Sequence, residues 1–290
     1  MTGVLILAGA PIGDWRDASA RLIEELALAE LIAAEDTRRF SRLAKDLGAT
    51  YTARLVSYFE GNENAKTADL VAEMLAGRRL LLITDAGMPS VSDPGYRLVR
   101  AALDAGVKVT AVPGPSAVLT AVALSGLPSD RFVFDGFVPR SKGARLSFYR
   151  GLTQERRTIV LFEAPHRLEE SLDDAVAEFG PDRQAAICRE MTKTYEEIVR
   201  GSLAELSAWS KSKDILGEIT LVIAGVSSSV GHVDPTEMVH LVLVREEAGM
   251  SRKEAIAAVA EALSVPKRVV FDAVVAEKES KRVASGKIGK

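Results

Sequence analysis

The segment RLLLITDAGMPSVSDPG, residues 79–95, decides the fold class, because it joins a short apolar run to a loop rich in glycine and proline. An apolar run of this length bounded by turn residues predicts a buried strand. We expect Ser92 or Asp93 to cap the helix that follows, with Pro94 in its first turn. Capping does not explain Asp85. Ligands bind at the carboxyl ends of strands in open α/β sheets, so Asp85 is predicted to contact one.

The same alternation of apolar runs and helical periods extends over the first 112 residues. It predicts parallel α/β layering. The predicted strands lie near residues 3–9, 55–57, 79–84 and 107–112, and the predicted helices near residues 17–33, 38–47, 64–76 and 95–105.

After Pro113 the pattern changes, because strands follow one another with fewer helices between them. This predicts a second α/β unit with some antiparallel pairing. Its predicted strands lie near residues 132–134, 157–163, 184–189, 195–201 and 219–225.

Two breaks divide the chain into three predicted domains. Residues 113–115, Pro-Gly-Pro, interrupt both helix and strand, and residues 227–229 are three serines without apolar periodicity. Beyond the serines only helices are predicted. Ser251 and Glu254 form a capping box, and Val265-Pro266 begins another helix, which together make a helix-turn-helix pattern. The predicted domains are 1–112 (N-terminal α/β), 113–226 (C-terminal α/β) and 227–290 (a helical appendage).

Composition narrows the function classes. The chain has 290 residues, 47% hydrophobic, and its 37 basic and 40 acidic residues leave a net charge of -3. This argues for a folded protein and against one that coats nucleic acid. One cysteine and three histidines without zinc-ligand spacing argue against a disulfide framework and a protein-bound metal. No apolar stretch is long enough to span a membrane, and Met1 to Ala10 lacks a basic region, so we expect a cytoplasmic protein.

Positive charge is concentrated between residues 139 and 157. This segment contains six basic residues and one acidic residue, Glu155, which gives a local charge of +5. This segment is the strongest candidate for phosphate contacts, although a solvated helix face explains it equally well. Its basic residues are Arg140, Lys142, Arg145, Arg150, Arg156 and Arg157.

Three more loops follow predicted strands, at residues 9–14, 113–117 and 163–167. None is a glycine-rich nucleotide loop of the two common kinds. The free N–H groups of residues 113–117 could hold a carboxylate, or the segment could be a plain hinge between domains. The clusters at residues 35–39 and 189–193, each read separately, are explained by helix caps and surface ion pairs.

Taken together, these loops resemble the tetrapyrrole-methylase superfamily, and within it the 16S ribosomal RNA (cytidine-1402-2'-O)-methyltransferases. Eight motifs occur in order between about residues 3 and 225. They are PIGD (11–14), AAEDTR (33–38), SDPGYRLV (92–99), VPGPSA (112–117), SGLPSDRFVFDGFVPR (125–140), EAPHR (163–167), REMTKTYEEIVRG (189–201) and GE (217–218).

The resemblance implies the two-domain tetrapyrrole-methylase fold of class III methyltransferases. It also implies a homodimer and S-adenosylmethionine bound in the cleft between the domains. The partner it implies is 16S rRNA in the small ribosomal subunit. Asp14 stands where this family usually has Asn, and Met88-Pro89-Ser90 where it usually has Thr-Pro-Gly. The donor contacts carried over are Pro11, Ile12, Asp85, Ala86, Gly87, Met88, Ser116, Ala117, Phe162 and Glu163, with Glu218 and Ile219 as weaker candidates.

A ribose hydroxyl is a weak acid, so a neighbouring carboxylate or lysine should accept or direct its proton during methyl transfer. The candidates are Glu35, Asp36, Glu190 and Lys193. Arg38 and Arg189 are predicted to clamp phosphate or ribose. Arg39, the helix at residues 38–45 and the last fifteen residues are further predicted RNA contacts.

Two other functions remain open from the sequence. A methyltransferase of the same fold could act on a tetrapyrrole or another small molecule. A helix-turn-helix regulator with a ligand-sensing body is the third possibility. Residues 251–277 contain four basic and four acidic residues, which makes a poor DNA-reading face.

Overall fold

A computed structural model describes residues 3–226, 235–263 and 265–285 of the protein, with side chains described as far as residue 277. The chain divides into two compact units, Met1–Ala224 and Gly225–Lys290. The predicted boundary at residues 227–229 and the end of the last fifteen residues, which are predicted RNA contacts, lie outside the described residues.

The first sheet of the larger unit is entirely parallel, as the alternation of apolar runs and helices predicts. Its strand order is β3-β2-β4-β1-β5, so the central strands are β2, β4 and β1. The central strands are apolar and almost completely buried, because helices cover both faces. The strands are β1 (Val4–Ala8), β2 (Leu31–Ala34), β3 (Arg54–Ser57), β4 (Arg79–Ile83) and β5 (Lys108–Val112).

One predicted element of this half is wrong. The helix expected over residues 17–33 ends at Leu28, where Ala29 adopts an extended backbone. Residues Leu31–Ala34 form β2, and all four are buried between β3 and β4. Alanine and leucine favour a helix locally, but pairing on both sides within the sheet overrides that preference.

The second sheet is mixed, as predicted. Its order is β6-β7-β10-β8-β9; β6 and β7 are parallel, and the other pairs are antiparallel. The antiparallel pairing places Ile219, at the start of β10, beside Glu163, at the end of β7. The strands are β6 (Phe132–Phe137), β7 (Thr158–Glu163), β8 (Gln184–Arg189), β9 (Glu197–Ser202) and β10 (Ile219–Ile223).

Helices cover both sheets. Residues 113–116 lead from β5 into the fifth helix, which packs against the second sheet through Val118, Ala121 and Val122. The helices of this unit are α1 (Ala20–Leu28), α2 (Thr37–Asp46), α3 (Glu63–Leu75), α4 (Tyr96–Asp104), α5 (Ala117–Ser125), α6 (Lys142–Leu152), α7 (Leu168–Phe179) and α8 (Leu203–Ser210).

Helix α4 is not capped as predicted. Its N-cap is Gly95, and the Gly95 N–H donates to the Glu63 carboxylate at 2.7 Å. Neither Ser92 nor Asp93 accepts a hydrogen bond from the first turn of the helix. The buried Glu63 carboxylate of α3 accepts from the Gly95 N–H instead. Asp93 therefore needs another explanation.

The smaller unit contains three described helices, α9 (Pro235–Glu247), α10 (Arg252–Ala262) and α11 (Lys267–Ser285). The predicted capping box is confirmed, since Ser251 accepts from the Glu254 N–H and the Glu254 carboxylate accepts from the Ser251 N–H. Val242, Val259 and Val270 are buried in a common apolar core. Among the described residues of both units, no helix is long and apolar enough to cross a membrane.

Candidate active site

A cavity of about 630 Å³ opens at the carboxyl ends of the first sheet's strands. The loops after β1, β2, β4 and β5 form one side, and the end of β7 and the start of β10 form the other. This is the edge where ligands bind in α/β sheets, because several loops meet there above a rigid sheet. The predicted ligand contact Asp85 lies in its wall.

Close backbone contacts hold three of these loops together. A Cβ added to Gly9 would lie 2.6 Å from the Cα of Gly114 and 2.8 Å from the Sδ of Met88. Ala10 and Gly87 exchange two backbone hydrogen bonds of 2.8 and 3.1 Å. Gly87 has a φ of +68°, which favours glycine. The loops after β1, β4 and β5 therefore form one framework.

Glu35, Asp85 and Arg39 form a connected polar group in the cavity wall. The Asp85 N–H donates to the Glu35 carboxylate at 3.1 Å, and Arg39 lies 3.2 Å from the Asp85 carboxylate. Burial raises the pKa of both carboxyl groups, while the Arg39 guanidinium opposes the rise at Asp85. The predicted proton acceptor Glu35 thus lines the cavity, but one of its oxygens already accepts a hydrogen bond.

The predicted proton acceptor Asp36 has a structural role instead. It is the N-cap of α2 and accepts hydrogen bonds from the N–H groups of Arg38 and Arg39. These bonds lower the pKa of Asp36, which weakens it as a base. The Arg38 side chain is 92% exposed and lies 3.5 Å from the Asp36 carboxylate, which leaves it accessible to solvent.

Lys193 links the carboxylates of Glu190 and Glu218, at 2.8 and 2.9 Å. Burial disfavours the charged form of Lys193, but these two hydrogen bonds outweigh it and raise the pKa of the ammonium. At Glu190 the same balance lowers the pKa: burial opposes the charge, and bonds from Lys193 and the Glu218 N–H favour it. Lys193 is therefore a cation, and Glu190 is an anion that already accepts two hydrogen bonds. Neither side chain is free to act as a base.

The Lys193 loop has an unusual backbone. Glu190 and Thr192 have φ values of +49° and +64°, and Asp14 donates its backbone N–H to the Thr192 hydroxyl at 3.0 Å. A Cβ added to Gly217 would lie 2.4 Å from the Glu190 side chain. The loop after β8 is thus fixed against the loop after β1. Arg189, predicted as a clamp, is instead bound to Glu197 and the Leu216 carbonyl.

Three of the six basic side chains at residues 139–157 are paired with carboxylates. Arg145, predicted to bind RNA, is 1% exposed and donates to Asp174 at 2.7 Å, so that prediction is wrong. Arg150 is exposed but paired with Glu178 at 2.6 Å. Arg157 is paired with Glu155. The segment's exposed cations without a partner among the described residues are Arg140, Lys142 and Arg156.

Comparison with known proteins decides the family. Residues 4–207 match the tetrapyrrole (corrin/porphyrin) methylases. The ribosomal RNA small subunit methyltransferase I of Mycobacterium bovis is 46% identical over 286 residues, 98% of each chain. The protein of that name from Escherichia coli O157:H7 is 37% identical over 258 residues, 88% of this chain and 90% of that one. The chain belongs to the ribosomal RNA small subunit methyltransferase I family.

Solved structures agree with this family at the level of the fold. Uroporphyrin-III-C-methyltransferase from Thermus thermophilus superimposes with a TM-score of 0.55 at 21% identity, covering 80% of this chain and 98% of that one. Diphthine synthase gives a TM-score of 0.56 at 18% identity, covering 76% and 89%. The predicted tetrapyrrole-methylase fold is confirmed. The protein is a methyltransferase, and S-adenosylmethionine is its methyl donor.

The cavity of this family member fits that donor. Glu163 is 2% exposed, and its Oε1 atom binds Arg167 and the Ala164 N–H, but its Oε2 atom is buried without a partner. A buried carboxylate oxygen without a donor is costly, so a ligand N–H or O–H is expected there. Carboxylates in the wall suit the positive sulfonium and ammonium groups of S-adenosylmethionine, and Ile12 and Phe162 offer apolar contact for its adenosine.

Most residues predicted to contact the donor are together in this wall. Pro11 is buried but does not line the cavity. Met88, at a position where the sequence departs from the usual family pattern, does line it. The predicted contacts in the wall are Ile12, Asp85, Ala86, Gly87, Met88, Ser116, Ala117, Phe162, Glu163, Glu218 and Ile219.

Asp93 is not among the site residues predicted from the sequence, because a helix cap is a sufficient explanation for it there. Asp93 lines the cavity, and burial raises its pKa to about 7. Three neighbouring carboxylates, those of Glu35, Asp85 and Glu218, act in the same direction. The signal available in the sequence was its place in the loop that carries Asp85. In the described part of the chain, no group of three or more acidic, histidine or cysteine side chains is arranged to hold a metal ion.

Proposed function

We propose that the protein transfers the methyl group of S-adenosylmethionine to the ribose 2'-oxygen of cytidine-1402 in 16S rRNA, within the small ribosomal subunit. The observation that carries this proposal is similarity over nearly the whole chain to proteins named for methylation of small-subunit rRNA. The cavity and the unpartnered Glu163 oxygen support it by providing a place for the donor.

In this proposal the donor supplies the reactive methyl group, and the protein orients it and the acceptor. The residues listed above from the cavity wall hold the donor. Arg39 lies 3.2 Å from the Asp85 carboxylate, and Lys193 lies 2.9 Å from the Glu218 carboxylate, so both cations shape the wall. Glu35 remains a candidate for directing the acceptor hydroxyl.

The exposed face of helix α2 is the proposed phosphate contact. Arg38, Arg42 and Lys45 are exposed and lie three or four residues apart, so they share one side of the helix. We call these three residues the α2 basic face. Arg39, one residue after the first of them, lines the cavity, so the face leads towards the proposed reaction site. Arg140 and Lys142 are further exposed contacts.

The family resemblance supports three further parts of the proposal. The protein acts as a homodimer, it works in the cytoplasm, and its chain comprises domains 1–112, 113–226 and 227–290. Leu119 and Phe137 line the cavity and are 58% and 57% exposed, so they offer apolar surface that a second copy could cover. The terminal helices are proposed to assist binding to the ribosomal subunit.

Transfer of label from S-adenosylmethionine tests the acceptor. The protein is incubated with labelled donor and, in separate reactions, small ribosomal subunits, naked 16S rRNA, a uroporphyrinogen and duplex DNA. The proposal predicts label in small subunits, stable to alkali as expected for a ribose methyl group. Label in the uroporphyrinogen alone would support a small-molecule methyltransferase instead. Absence of donor binding would reject both enzymatic functions.

A further inference from the structure

We propose that Asp93 is a further catalytic residue, whose carboxylate accepts the proton of the ribose hydroxyl during methyl transfer. The inference rests on the proposed function for its acceptor.

Each of the other carboxylates around the cavity already has partners. Glu163 is 2% exposed and binds Arg167 and the Ala164 N–H through Oε1, and its buried Oε2 atom is the one expected to accept from the donor. Glu35 accepts from the Asp85 N–H, and Asp85 accepts from the Asp36 N–H at 3.2 Å and binds Arg39. Glu218 is bound to Lys193 and is 71% exposed. Protonation of any of them would remove its negative charge and so weaken an existing hydrogen bond or ion pair.

Glu190, outside the cavity lining, is likewise occupied by Lys193 and the Glu218 N–H. Asp93 differs from all of these groups. It lines the cavity, is partly buried, and has no hydrogen bond or ion pair with any residue that the structure describes. A general base needs an accessible lone pair, so Asp93 is the carboxylate best placed to act as one.

The loop that carries Asp93 is held in a costly conformation. Ser90 and Ser92 have φ values of +73° and +62°, in the left-handed region that side chains disfavour. The Ser90 N–H donates to the Pro94 carbonyl at 3.2 Å, and Gly95 is anchored to Glu63 at 2.7 Å. These contacts close the loop on both sides of Asp93. Strain of this kind is common where a side chain must be presented to a ligand.

The charges around Asp93 suit this role. Glu35, Asp85 and Glu218 face it from the loop after β2, the loop after β4 and the start of β10, and their charges disfavour its ionisation. Arg39 of α2 is the guanidinium in the cavity wall. A bound cationic donor favours ionised Asp93, so the carboxylate becomes a competent base when the donor is present.

The proton transfer balances. The ribose O–H bond breaks as its oxygen forms the bond to the methyl carbon, and the proton moves to a carboxylate oxygen of Asp93. The electron pair of the broken carbon–sulfur bond stays on sulfur, which becomes neutral. Solvent then removes the proton from Asp93.

The test compares Asp93→Asn and Asp93→Glu with Asp104→Asn, a matched control at an exposed carboxylate paired with Arg100 in α4. Single-turnover methylation of small subunits should slow by at least about 100-fold in Asp93→Asn, with donor affinity within about threefold of the wild type. Asp93→Glu should recover most of the rate. The rise of the wild-type rate with pH near neutrality should be absent in Asp93→Asn.

A second measurement needs no acceptor. Calorimetry in buffers of different ionisation enthalpy counts the protons released when S-adenosylmethionine binds at pH 7. The wild type and Asp104→Asn should release a fraction of a proton that Asp93→Asn does not. Equal release by all three proteins would overturn the inference.

Three results in the methylation assay would also overturn it. The first is a rate in Asp93→Asn within threefold of the wild type, and the second is equal loss in Asp93→Asn and Asp93→Glu. The third is loss of donor binding in Asp93→Asn, which would make Asp93 a donor contact. Wild-type protein that does not label small subunits would reject the proposed function, and with it the acceptor assumed here.

Discussion

Replacement of Gly9 by alanine tests whether the framework of cavity loops is as tightly constrained as the structure indicates. The added Cβ would lie 2.6 Å from both the Cα and the N of Gly114, and 2.8 Å from the Sδ of Met88. Ordinary contacts of a Cβ begin at 3.4 Å, so the two backbone segments must separate by roughly 1 Å. Neither segment is a flexible side-chain end that can move aside.

The cost follows from this geometry. Overpacking of a well-packed region destabilises a protein by about 1–3 kcal/mol. For a unit of this size, each kcal/mol lowers the melting temperature by about 2–4 °C, so Gly9→Ala should melt about 2–12 °C below the wild type. Gly114 and Met88 also line the cavity, so their displacement should weaken donor binding by about tenfold, equivalent to about 1.4 kcal/mol.

Thermal unfolding monitored by circular dichroism and calorimetric titration of S-adenosylmethionine are suitable assays. Gly143→Ala is the matched control, because a Cβ at Gly143 would meet no atom within 4 Å and the residue lies in α6. That variant should be unchanged or stabilised by up to about 1 kcal/mol. If Gly9→Ala matched the wild type in both melting temperature and donor affinity, the contact between these loops would not constrain the site.

Three further predictions concern charged residues. Arg145→Met should lower the free energy of unfolding by about 3–5 kcal/mol in denaturant titrations, because it leaves Asp174 buried without its partner. Weaker RNA binding with an unchanged free energy of unfolding would contradict this structural role of Arg145. Alanine at all three positions of the α2 basic face should reduce the slope of log affinity for small subunits against log salt by about 2, and an unchanged slope would exclude phosphate contacts there. Asp93→Asn should be more stable than the wild type at pH 8 by about 2 kcal/mol, after allowance for solvent screening, with no such gain at pH 4. The raised pKa means that the folded wild type loses stability as the pH increases from about 4 to about 7, so a gap that is independent of pH would refute the assigned cause.

The fold was largely predictable because apolar runs and turn residues mark most strands directly. The exception, β2, has a short apolar sequence that continues from α1 without glycine or proline. Only its position between β3 and β4 makes it a strand, and that position depends on residues distant in the chain.

The site was predictable where motifs follow strands, as at Asp85 and Glu163. It was not predictable where a residue's partner is remote. Arg145 is held by Asp174, 29 residues later, so its burial could not be inferred from local charge. The sequence predicts a helix cap at Ser92 or Asp93, because nothing in the local sequence indicates that the Glu63 carboxylate, 32 residues before Gly95, accepts from the Gly95 N–H.

The most direct test of the proposed function locates the methyl group itself. Small subunits that lack the modification are incubated with the protein and S-adenosylmethionine, and their 16S rRNA is digested and sequenced by mass spectrometry. We predict one new methyl group, on the ribose 2'-oxygen of cytidine-1402. A methyl group on a base, at another nucleotide, or nowhere in the RNA would contradict the proposal.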